Sequence, residues 1–281
     1  MLVRPSREGC AYIDAMDEIL EQLPSGTRVL DLGSASGSFA RERTKAITIR
    51  LDRECHGKDR ENVLIGDAAH LPFADGRFQA VISNHSLEHF EELERCLREV
   101  GRVISPRGAL FVSVPDASTL TDKLYRWLAS GGGHVNPFVS PESVIRVVED
   151  YTGLKHVATK GLCSSLSFLN RRNSPAPRPK RTLLIGGGFE WTLRAYVWFS
   201  RRVDRLLGTR LSIYGWAFYF GEVSRKVNTT TWLNVCVRCG SGASALFLRR
   251  LVKVRLFVLK SYACPSCGAS NPFIDSDANW R

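Results

Sequence analysis

The chain has 281 residues, of which 44% are hydrophobic and 24% are charged, and its formal net charge is +11. This length suits one large domain with an appendage, or two domains, and the hydrophobic content is that of a globular protein. No apolar stretch approaches the roughly 20 residues needed to cross a membrane, and the N-terminus lacks the apolar segment of a signal peptide, so we expect a cytoplasmic protein.

The positive charge is concentrated in the second half of the chain. Residues 1–144 hold 17 Lys and Arg against 21 Asp and Glu, whereas residues 145–281 hold 22 against 7. This asymmetry favours an anionic partner for the C-terminal half, either a nucleic acid or an anionic membrane surface. A solvated basic face without a partner would explain the same charge, so composition alone leaves these alternatives open.

A strand, a glycine turn and the start of a helix are predicted near the N-terminus. Residues 8–23 place apolar side chains at three- and four-residue spacings, which predicts a helix ahead of the first strand. Val29–Leu32 is a short apolar run typical of a buried parallel strand, and the small residues Gly33–Gly37 follow it. Such a turn directs backbone N–H groups and the positive helix end towards a ligand, and glycine permits the ligand's close approach.

Three further strands follow, and two of them lead to an aspartate. Ala46–Leu51 precedes Asp52, which lies about twenty positions after the glycine turn, where a carboxylate can accept both hydroxyls of a ribose. A third strand over residues 63–65 leads to Asp67, and residues 78–84 form the fourth.

The alternation of strands and helices continues to residue 114. Residues 87–104 have an apolar stripe that predicts a crossover helix, and Ala109–Val114 is predicted as the fifth strand after a turn at Pro106–Gly108. This alternation implies a parallel sheet with right-handed crossovers, whose ligand lies at the carboxyl ends of the strands.

Five segments in this region form one ordered series: Asp31-Leu-Gly-x-Ala-x-Gly, Asp52, Gly66-Asp67-Ala68-x-x-Leu71-Pro72-Phe73, Ser86-Leu87-Glu88-His89 and Arg102-Val103-Ile104-x-Pro106-x-Gly108. The series closely resembles the class I S-adenosylmethionine-dependent methyltransferases, in the subgroup that includes quinone-biosynthesis C-methyltransferases and many small-molecule methyltransferases. The resemblance covers roughly residues 26–115 and extends loosely to about residue 160.

The resemblance implies a doubly wound α/β fold, with a mostly parallel seven-stranded Rossmann-like sheet, and S-adenosyl-L-methionine as the cofactor. It implies that the glycine turn holds the methionine part, that Asp52 holds the ribose, and that Asp67 with Ala68 holds the adenine. The cofactor residues that it indicates are Asp31, Gly33, Ser34, Ala35, Gly37, Asp52, Asp67, Ala68 and Asn84. Two residues depart from the family pattern: Ala35 replaces the usual middle glycine of the turn, and Gln79 replaces an aspartate common before the fourth strand.

The next segment continues the same alternation. Residues 119–129 are predicted to be helical, and a glycine-rich loop over residues 131–138 leads to a helix from Ser140 or Pro141 to about Tyr151. Leu154–Thr159 is a candidate sixth strand. Residues 171–181 are basic and rich in proline, with too little apolar content to pack, so we expect a loop or a linker there.

Residues 189–207 are predicted to form a helix with an unusual surface. One face carries apolar side chains from Phe189 to Leu207, and another carries a row of three arginines, Arg194, Arg201 and Arg205. Trp191 and Trp198 flank that row. Such a helix suits a membrane surface or the lid of a lipid pocket, but it equally suits a helix packed on the sheet with solvated arginines.

Two later segments are candidates for the last strands of the sheet. Leu211–Val223 alternates aromatic residues with others, and Trp232–Val237 is a shorter apolar run. Either could belong to the antiparallel pair with which this fold usually ends, and the sequence does not decide between them.

Four of the eight cysteines have the spacing of metal ligands. Cys236-Val-Arg-Cys239-Gly240 and Cys264-Pro-Ser-Cys267-Gly268 each predict a tight turn that presents two thiolates, and together they predict a closed, structural Cys₄ site for Zn²⁺. The 24 residues between the pairs suit a β-hairpin, and the whole element resembles a zinc ribbon. Disulfides are the alternative, which a cytoplasmic setting disfavours. We expect Cys10, Cys55, Cys96 and Cys163 to be buried or without a role.

The residues that would assist methyl transfer carry only a weak signature. The sulfonium methyl is already electrophilic, so the protein needs to align a nucleophile and, for some acceptors, remove a proton. His85, just after the fourth strand, and His134, in the glycine-rich loop, are the candidate bases because both are expected near the carboxyl edge of the sheet. Structural hydrogen bonding is the competing explanation for both.

Three functions remain open at this point. The favoured one is methyl transfer to a small-molecule or lipid-like acceptor, by an enzyme that is cytoplasmic or associated with a membrane surface. The alternatives are a nucleic-acid methyltransferase that binds RNA through the basic zinc ribbon, and a non-catalytic protein that binds the cofactor or a partner. The expected domains are a methyltransferase core over residues 1–170, a basic linker and helix over 171–210, the last core strands over 211–235, and the zinc ribbon over 236–281.

Overall fold

The computed structural model of the chain describes residues 15–34, 37–54, 63–128, 134–170, 189–223, 227–255 and 259–278. These residues divide into two units. The sheet unit comprises residues 15–162 and 213–231, and the cysteine unit comprises residues 163–212 and 232–278. The predicted linker over residues 171–181, the glycines at 131–133, and Cys10 and Cys55 lie outside the described residues.

A seven-stranded sheet with the strand order β3-β2-β1-β4-β5-β7-β6 forms the centre of the sheet unit. Its strands are β1 Arg28–Leu32, β2 Ile47–Asp52, β3 Val63–Ile65, β4 Phe78–Asn84, β5 Ile104–Pro115, β6 His156–Cys163 and β7 Ile213–Gly221. Strand β1 pairs in parallel with β2 and β4, β2 with β3, and β4 with β5, whereas β7 is antiparallel to β5. The predicted doubly wound, mostly parallel sheet is confirmed.

Strand β1 is buried on both faces of this sheet. Leu30 and Leu32 belong to one buried apolar cluster, and Val29 belongs to another, as the two-residue period of a strand requires. The apolar run of the sequence therefore reflects a central strand that is covered on both sides.

The helices of the sheet unit are α1 Asp17–Leu20, α2 Leu93–Val103, α3 Leu120–Leu128 and α4 Pro141–Thr152. Helix α4 has the predicted ends, since the Ser140 hydroxyl accepts the Ser143 N–H at 3.2 Å and Gly153 closes the helix with a φ of +73°. Of the predicted N-terminal helix, Asp17–Leu20 is helical, and residues 8–14 lie outside the described residues.

The crossover helix predicted for residues 87–104 is shorter in the structure. Leu87–His89 is a 3₁₀ turn, and the α-helix begins only at Leu93. The Asn136 amide donates to the carbonyls of Leu87 (2.9 Å) and Phe90 (2.7 Å). In a continuous helix these carbonyls would accept hydrogen bonds from backbone N–H groups four residues later. The Asn136 side chain, which is distant in sequence, therefore interrupts the helix.

The structure decides which segment completes the sheet. Strand β7, within the predicted run 211–223, is the antiparallel partner of β5, and it lies between β5 and β6. The other candidate contributes only the two-residue strand β8, Asn234–Val235, which pairs with β9, Gly242–Ala243, in the cysteine unit.

The cysteine unit combines one long helix with short strands. Its helices are α5 Glu190–Leu207 and α6 Ala245–Leu248, and the strands after β9 are β10 Val252–Arg255, β11 Leu259–Ala263 and β12 Ser270–Pro272. Strands β10, β11 and β12 form an antiparallel sheet, so the predicted hairpin between the cysteine pairs is present, preceded by helix α6.

Helix α5 does not present the predicted row of three arginines. Its buried side chains are Leu193, Val197, Ser200, Arg201 and Asp204, whereas Phe189 and Leu207 are exposed. Arg201 is only 2% exposed, and its guanidinium donates to the carbonyls of Leu233 (3.1 Å) and Ser164 (2.6 Å). The predicted assignment of faces was wrong because backbone carbonyls within the cysteine unit satisfy the buried charge. Among the described residues, no helix is long and apolar enough to cross a bilayer.

Candidate cofactor cleft and cysteine cluster

The glycine turn after β1 is set by packing as well as by backbone conformation. Gly33 has a φ of +65°, and a Cβ added there would lie 2.5 Å from the Cβ of Ser86. The Ser86 hydroxyl donates to the Leu32 carbonyl at 3.1 Å and lies 2.6 Å from the Ser83 hydroxyl. Glycine at position 33 therefore allows the turn after β1 to pack against the residues that follow β4.

Asp31, within β1, stabilises the segment that follows the same turn. Its Oδ2 accepts the Ser38 N–H at 3.0 Å and lies 3.7 Å from Nε of Arg50, whose guanidinium donates to the Phe39 carbonyl at 2.8 Å. Burial raises the pKa of Asp31, against the hydrogen bonds from Ser38 and the charge of Arg50, which lower it. A Cβ on Gly37 would collide with the Arg50 guanidinium, so Gly37 is needed for this packing.

A cleft of about 300 Å³ opens at the carboxyl ends of β1 to β4. It is lined by Leu32, Gly33, Leu51, Asp52, Arg53, Gly66, Asp67, Ala68, His85, Ser86, His89, Phe90, Glu91 and Cys96. Four predicted cofactor residues, Gly33, Asp52, Asp67 and Ala68, are among them. Asp31, Ser34, Gly37 and Asn84 are not among the lining residues, and Ala35 lies outside the described residues.

Two carboxylates of the cleft, Asp52 and Asp67, accept hydrogen bonds from nearby backbone N–H groups. Asp67 accepts the Ala69 N–H at 3.0 Å and lies 3.4 Å from the Arg53 guanidinium, and these two interactions lower the pKa of Asp67. Asp52 accepts the Glu54 N–H at 3.2 Å. The cleft thus offers two carboxylate acceptors on neighbouring strands, which suit hydroxyl and amine donors of a nucleoside.

His85 is held in an unusual conformation at the edge of the cleft. Its φ is +54°, which is uncommon for a residue other than glycine and recurs at functional sites. The imidazole Nε2 lies 3.0 Å from the Tyr214 hydroxyl, and Nδ1 lies 3.7 Å from a carboxylate oxygen of Glu88. The candidate base His85 therefore has a polar group near each of its ring nitrogens.

His134 is placed near the turn that follows β4. Its Nδ1 lies 3.4 Å from Oδ1 of Asp122, and its ring centroid lies 4.9 Å from that of His89. His134 is not among the lining residues of the cleft. Ser86, Glu88, Asp122 and Tyr214 were not predicted as site residues, and only the first two belong to a motif visible in the sequence.

The two cysteine pairs form matching turns in the cysteine unit. The Gly240 N–H donates to the Cys236 carbonyl at 2.9 Å, and the Gly268 N–H donates to the Cys264 carbonyl at 2.8 Å. Both glycines have positive φ values, +76° and +71°, as the predicted turn geometry requires.

The four sulfur atoms are arranged as a metal site would need them. Sγ of Cys236 lies 3.6 Å from Sγ of Cys267, and the same distance separates Cys239 from Cys264. Tetrahedral Zn–S bonds of about 2.3 Å place sulfur atoms about 3.8 Å apart, whereas a disulfide bond measures about 2.05 Å. The Asn271 amide and the Arg238 N–H each lie 3.4 Å from the Cys236 sulfur, as donors to a thiolate would.

The two described cysteines outside the cluster are buried thiols. Burial raises the pKa of Cys96 to about 12 and that of Cys163 to about 11, so both remain protonated at neutral pH. The expectation of burial is confirmed for these two.

The family model and the similar proteins described next are all methyltransferases. A family model described as a methyltransferase domain matches residues 6–158. Malonyl-acyl-carrier-protein O-methyltransferase of Methylococcus capsulatus is 27% identical over 57% of this chain and 68% of its own length, and that of Halorhodospira halophila is 26% identical over 77% and 84%. Demethylmenaquinone methyltransferase of Corynebacterium glutamicum is 34% identical over 32% of this chain and 43% of its own length.

Proposed function

The chain belongs to the methyltransferase-domain family and is an S-adenosylmethionine-dependent methyltransferase, and on that premise we propose that its acceptor is a small molecule or a lipid-like molecule. The observation that carries the proposal is the cleft in which Gly33, Asp52, Asp67, Ala68 and His85 meet. The names of the relatives, which refer to malonyl-acyl-carrier protein and to demethylmenaquinone, support an acceptor of this class.

We assign the cofactor to this cleft. Asp52 would accept the ribose hydroxyls, Asp67 and Ala68 would contact the adenine, and the turn at Gly33 would hold the methionine part. Asp31 and Gly37 would act on the cofactor indirectly, through the shape of the turn. Asp31 accepts the N–H of Ser38, and Gly37 leaves space for Arg50. Bound S-adenosylmethionine supplies a methyl group on a positively charged sulfur.

His85 is the group that we assign to proton transfer. It lines the cleft, and its Nε2 is 3.0 Å from the Tyr214 hydroxyl, which orients the ring. The imidazole would accept a proton from the acceptor as the nucleophile attacks. His134 is a poorer candidate for this role because its Nδ1 lies 3.4 Å from the buried carboxylate of Asp122 and it is not among the lining residues of the cleft.

We further propose that Cys236, Cys239, Cys264 and Cys267 hold a structural Zn²⁺. The sulfur separations and the two glycine turns support this assignment. Four thiolates complete the coordination of zinc, so the site would stabilise the cysteine unit and leave no position for a substrate.

The cofactor assignment is tested by calorimetry with S-adenosylhomocysteine. Asp52→Ala should lose about 1–3 kcal/mol of binding free energy, because the ribose hydroxyls lose their charged acceptor. Glu54→Ala, which removes an exposed carboxylate two residues away, is the matched control and should bind as the wild type does. Equal affinity in a folded Asp52→Ala protein would refute the assignment.

The acceptor class is tested with radiolabelled S-adenosylmethionine. We expect the label to appear in a small-molecule or lipid fraction of a cell extract, identified by mass spectrometry, and to be reduced with His85→Asn. Label recovered only in RNA would refute the proposed class.

A further inference from the structure

Three side chains beside the cofactor cleft, not used in the cofactor assignment, converge on one point. Glu88, His89 and His134 place one potential ligand atom each within 4.8 Å of one another. Glu88 and His89 belong to the 3₁₀ turn after β4, whereas His134 lies some 45 residues later in the sheet unit. His89 also lines the cofactor cleft, so this point adjoins the proposed reaction site.

The backbone fixes these two segments against each other. The N–H groups of Val135 and Asn136 donate to the Glu88 carbonyl at 2.8 and 3.0 Å. The Asn136 side chain adds its two hydrogen bonds to Leu87 and Phe90. Four hydrogen bonds therefore hold His134 next to the Glu88 turn, which gives the cluster the preorganised frame that a ligand site needs.

Glu88 carries the strongest indication of a cation site. Its side chain is only 2% exposed, and among the described residues its Oε2 has no hydrogen-bond partner. Its other oxygen, Oε1, lies 3.7 Å from Nδ1 of His85. A buried carboxylate oxygen without a partner costs free energy, which a bound cation would recover.

His134 is oriented as metal-bound histidines usually are. Its Nδ1 lies 3.4 Å from Asp122, whose carboxylate is buried and also lies 2.7 Å from Nε of Arg126. A histidine that binds a metal through one nitrogen usually donates its other N–H to a carboxylate, which fixes the tautomer and the ring plane. The Tyr125 ring, stacked at 5.6 Å, restricts the imidazole further.

We propose that Glu88, His89 and His134 bind a divalent transition-metal ion that coordinates an oxygen of the methyl acceptor. Two imidazoles and one carboxylate suit zinc, manganese or iron, and leave positions open for a substrate. Bonds of about 2.0–2.2 Å place neighbouring ligand atoms about 3.0–3.5 Å apart, so ligand atoms that lie up to 4.8 Å apart approach one another by as much as about 1.3–1.8 Å around the ion.

The ion narrows the substrate class, and this step rests on the methyl-transfer function proposed above. A hydroxyl bound to the ion becomes more acidic, and its proton passes to His85. The oxygen lone pair then forms the new O–C bond, and the electron pair of the S–C bond leaves with the sulfur as S-adenosylhomocysteine. The acceptor is therefore a hydroxyl compound. An acceptor with a second oxygen next to the hydroxyl can bind the ion through both oxygens, as a chelate.

The site is tested with Mn²⁺ alone, added to the full-length, zinc-loaded protein and followed by electron paramagnetic resonance. Mn²⁺ prefers carboxylate and imidazole to thiolates, so the cysteine cluster does not take it up. We expect one Mn²⁺ per chain, lost with Glu88→Gln and weakened about 10- to 100-fold with Asp122→Asn, which removes the carboxylate behind His134. Glu92→Gln, an exposed glutamate four residues away, should bind as the wild type does.

Paramagnetic broadening in the unmutated protein provides a second measurement, independent of whether a variant folds. Mn²⁺ should broaden the imidazole proton signals of His89 and His134 and leave those of His156 sharp. Equal Mn²⁺ uptake by the wild type and Glu88→Gln, or broadening that spares His89 and His134, overturns the proposal. The Mn²⁺ titration contains no cofactor, so a negative result bears only on the metal site. The cofactor assignment is tested separately, by the S-adenosylhomocysteine affinity of Asp52→Ala.

Discussion

The two units of this protein are stabilised by different means. In the sheet unit, β1, β4 and β5 bury apolar side chains on both faces, and the largest cluster extends through helices α2 and α4. In the cysteine unit, two of the buried clusters formed by described residues are small, one of Ala243, Ala245, Leu248, Tyr262 and Phe273 and one of Cys236, Cys264 and Ala269. Structural zinc supplies much of the folding free energy of small metal domains, so we expect this unit to depend on the proposed zinc site and on buried polar groups such as Arg201.

The comparison shows where each unit is vulnerable. A lost side chain at the cleft of the sheet unit should cost binding and leave the fold intact, because the sheet is stabilised elsewhere. A lost metal ligand in the cysteine unit should unfold that unit, and a lost buried polar group should lower its stability. Three predictions test this difference, in order of expected size.

The largest effect is expected from Cys264→Ser. Structural zinc contributes about 10–16 kcal/mol to the folding of small zinc domains, so loss of one ligand should unfold the cysteine unit. Hydrogen exchange should show amides of residues 232–278 losing protection while those of β1, β4 and β5 keep it. Elemental analysis should find close to one zinc per wild-type chain and little in the variant.

The matched control for that experiment is Cys163→Ala, a buried cysteine of the same unit that is not in the cluster. It should retain the metal. A wild-type protein without metal, or full zinc in the Cys264→Ser variant, would contradict the account of the cysteine unit.

A smaller effect is expected from Arg201→Met. The substitution keeps the apolar stem of the side chain but leaves the carbonyls of Leu233 and Ser164 without their donor, at about 1–3 kcal/mol for each unsatisfied buried group. Urea unfolding followed through the cysteine unit should show the loss. Arg205→Met, on the exposed side of the same helix, should change stability by less than about 0.5 kcal/mol. If the two substitutions change stability equally, Arg201 lies on an exposed face beside Arg205, as the sequence predicted, and the buried position is wrong.

The smallest effect concerns an ion pair of the sheet unit. Glu99 accepts two hydrogen bonds from the Arg102 guanidinium, at 2.8 and 2.7 Å, and these lower its pKa below the ordinary 4.5. A lowered folded-state pKa contributes stability above the unfolded value, and this contribution disappears as the pH falls through the folded value. Glu99→Gln should therefore cost about 0.5–1 kcal/mol at pH 7 and progressively less below pH 4.5.

Thermal unfolding between pH 3 and pH 7 measures that difference. Glu94→Gln, which removes a more exposed glutamate on the same helix, 3.4 Å from Arg98, is the matched control for the loss of a helical carboxylate. A difference between the wild type and Glu99→Gln that grows at low pH would contradict the assignment.

Local patterns in the sequence determined most of the sheet and both kinds of candidate site. Strands β1, β2 and β3 are mostly apolar runs that lead to the glycine turn or to an aspartate, so sequence spacing alone predicted what would meet at the carboxyl edge. The two Cys-x-x-Cys-Gly turns are equally local, because each is closed by hydrogen bonds within five residues.

Only the tertiary structure decided the features that depend on residues distant in the chain. The place of β7 beside β5, the interruption of the helix at Leu87–Phe90 by Asn136, and the approach of His134 to Glu88 all join segments separated by more than 40 residues. Arg201 shows the physical reason most clearly. Helical periodicity gives the angle at which a side chain projects, but burial depends on which carbonyls from other segments are there to accept its hydrogen bonds.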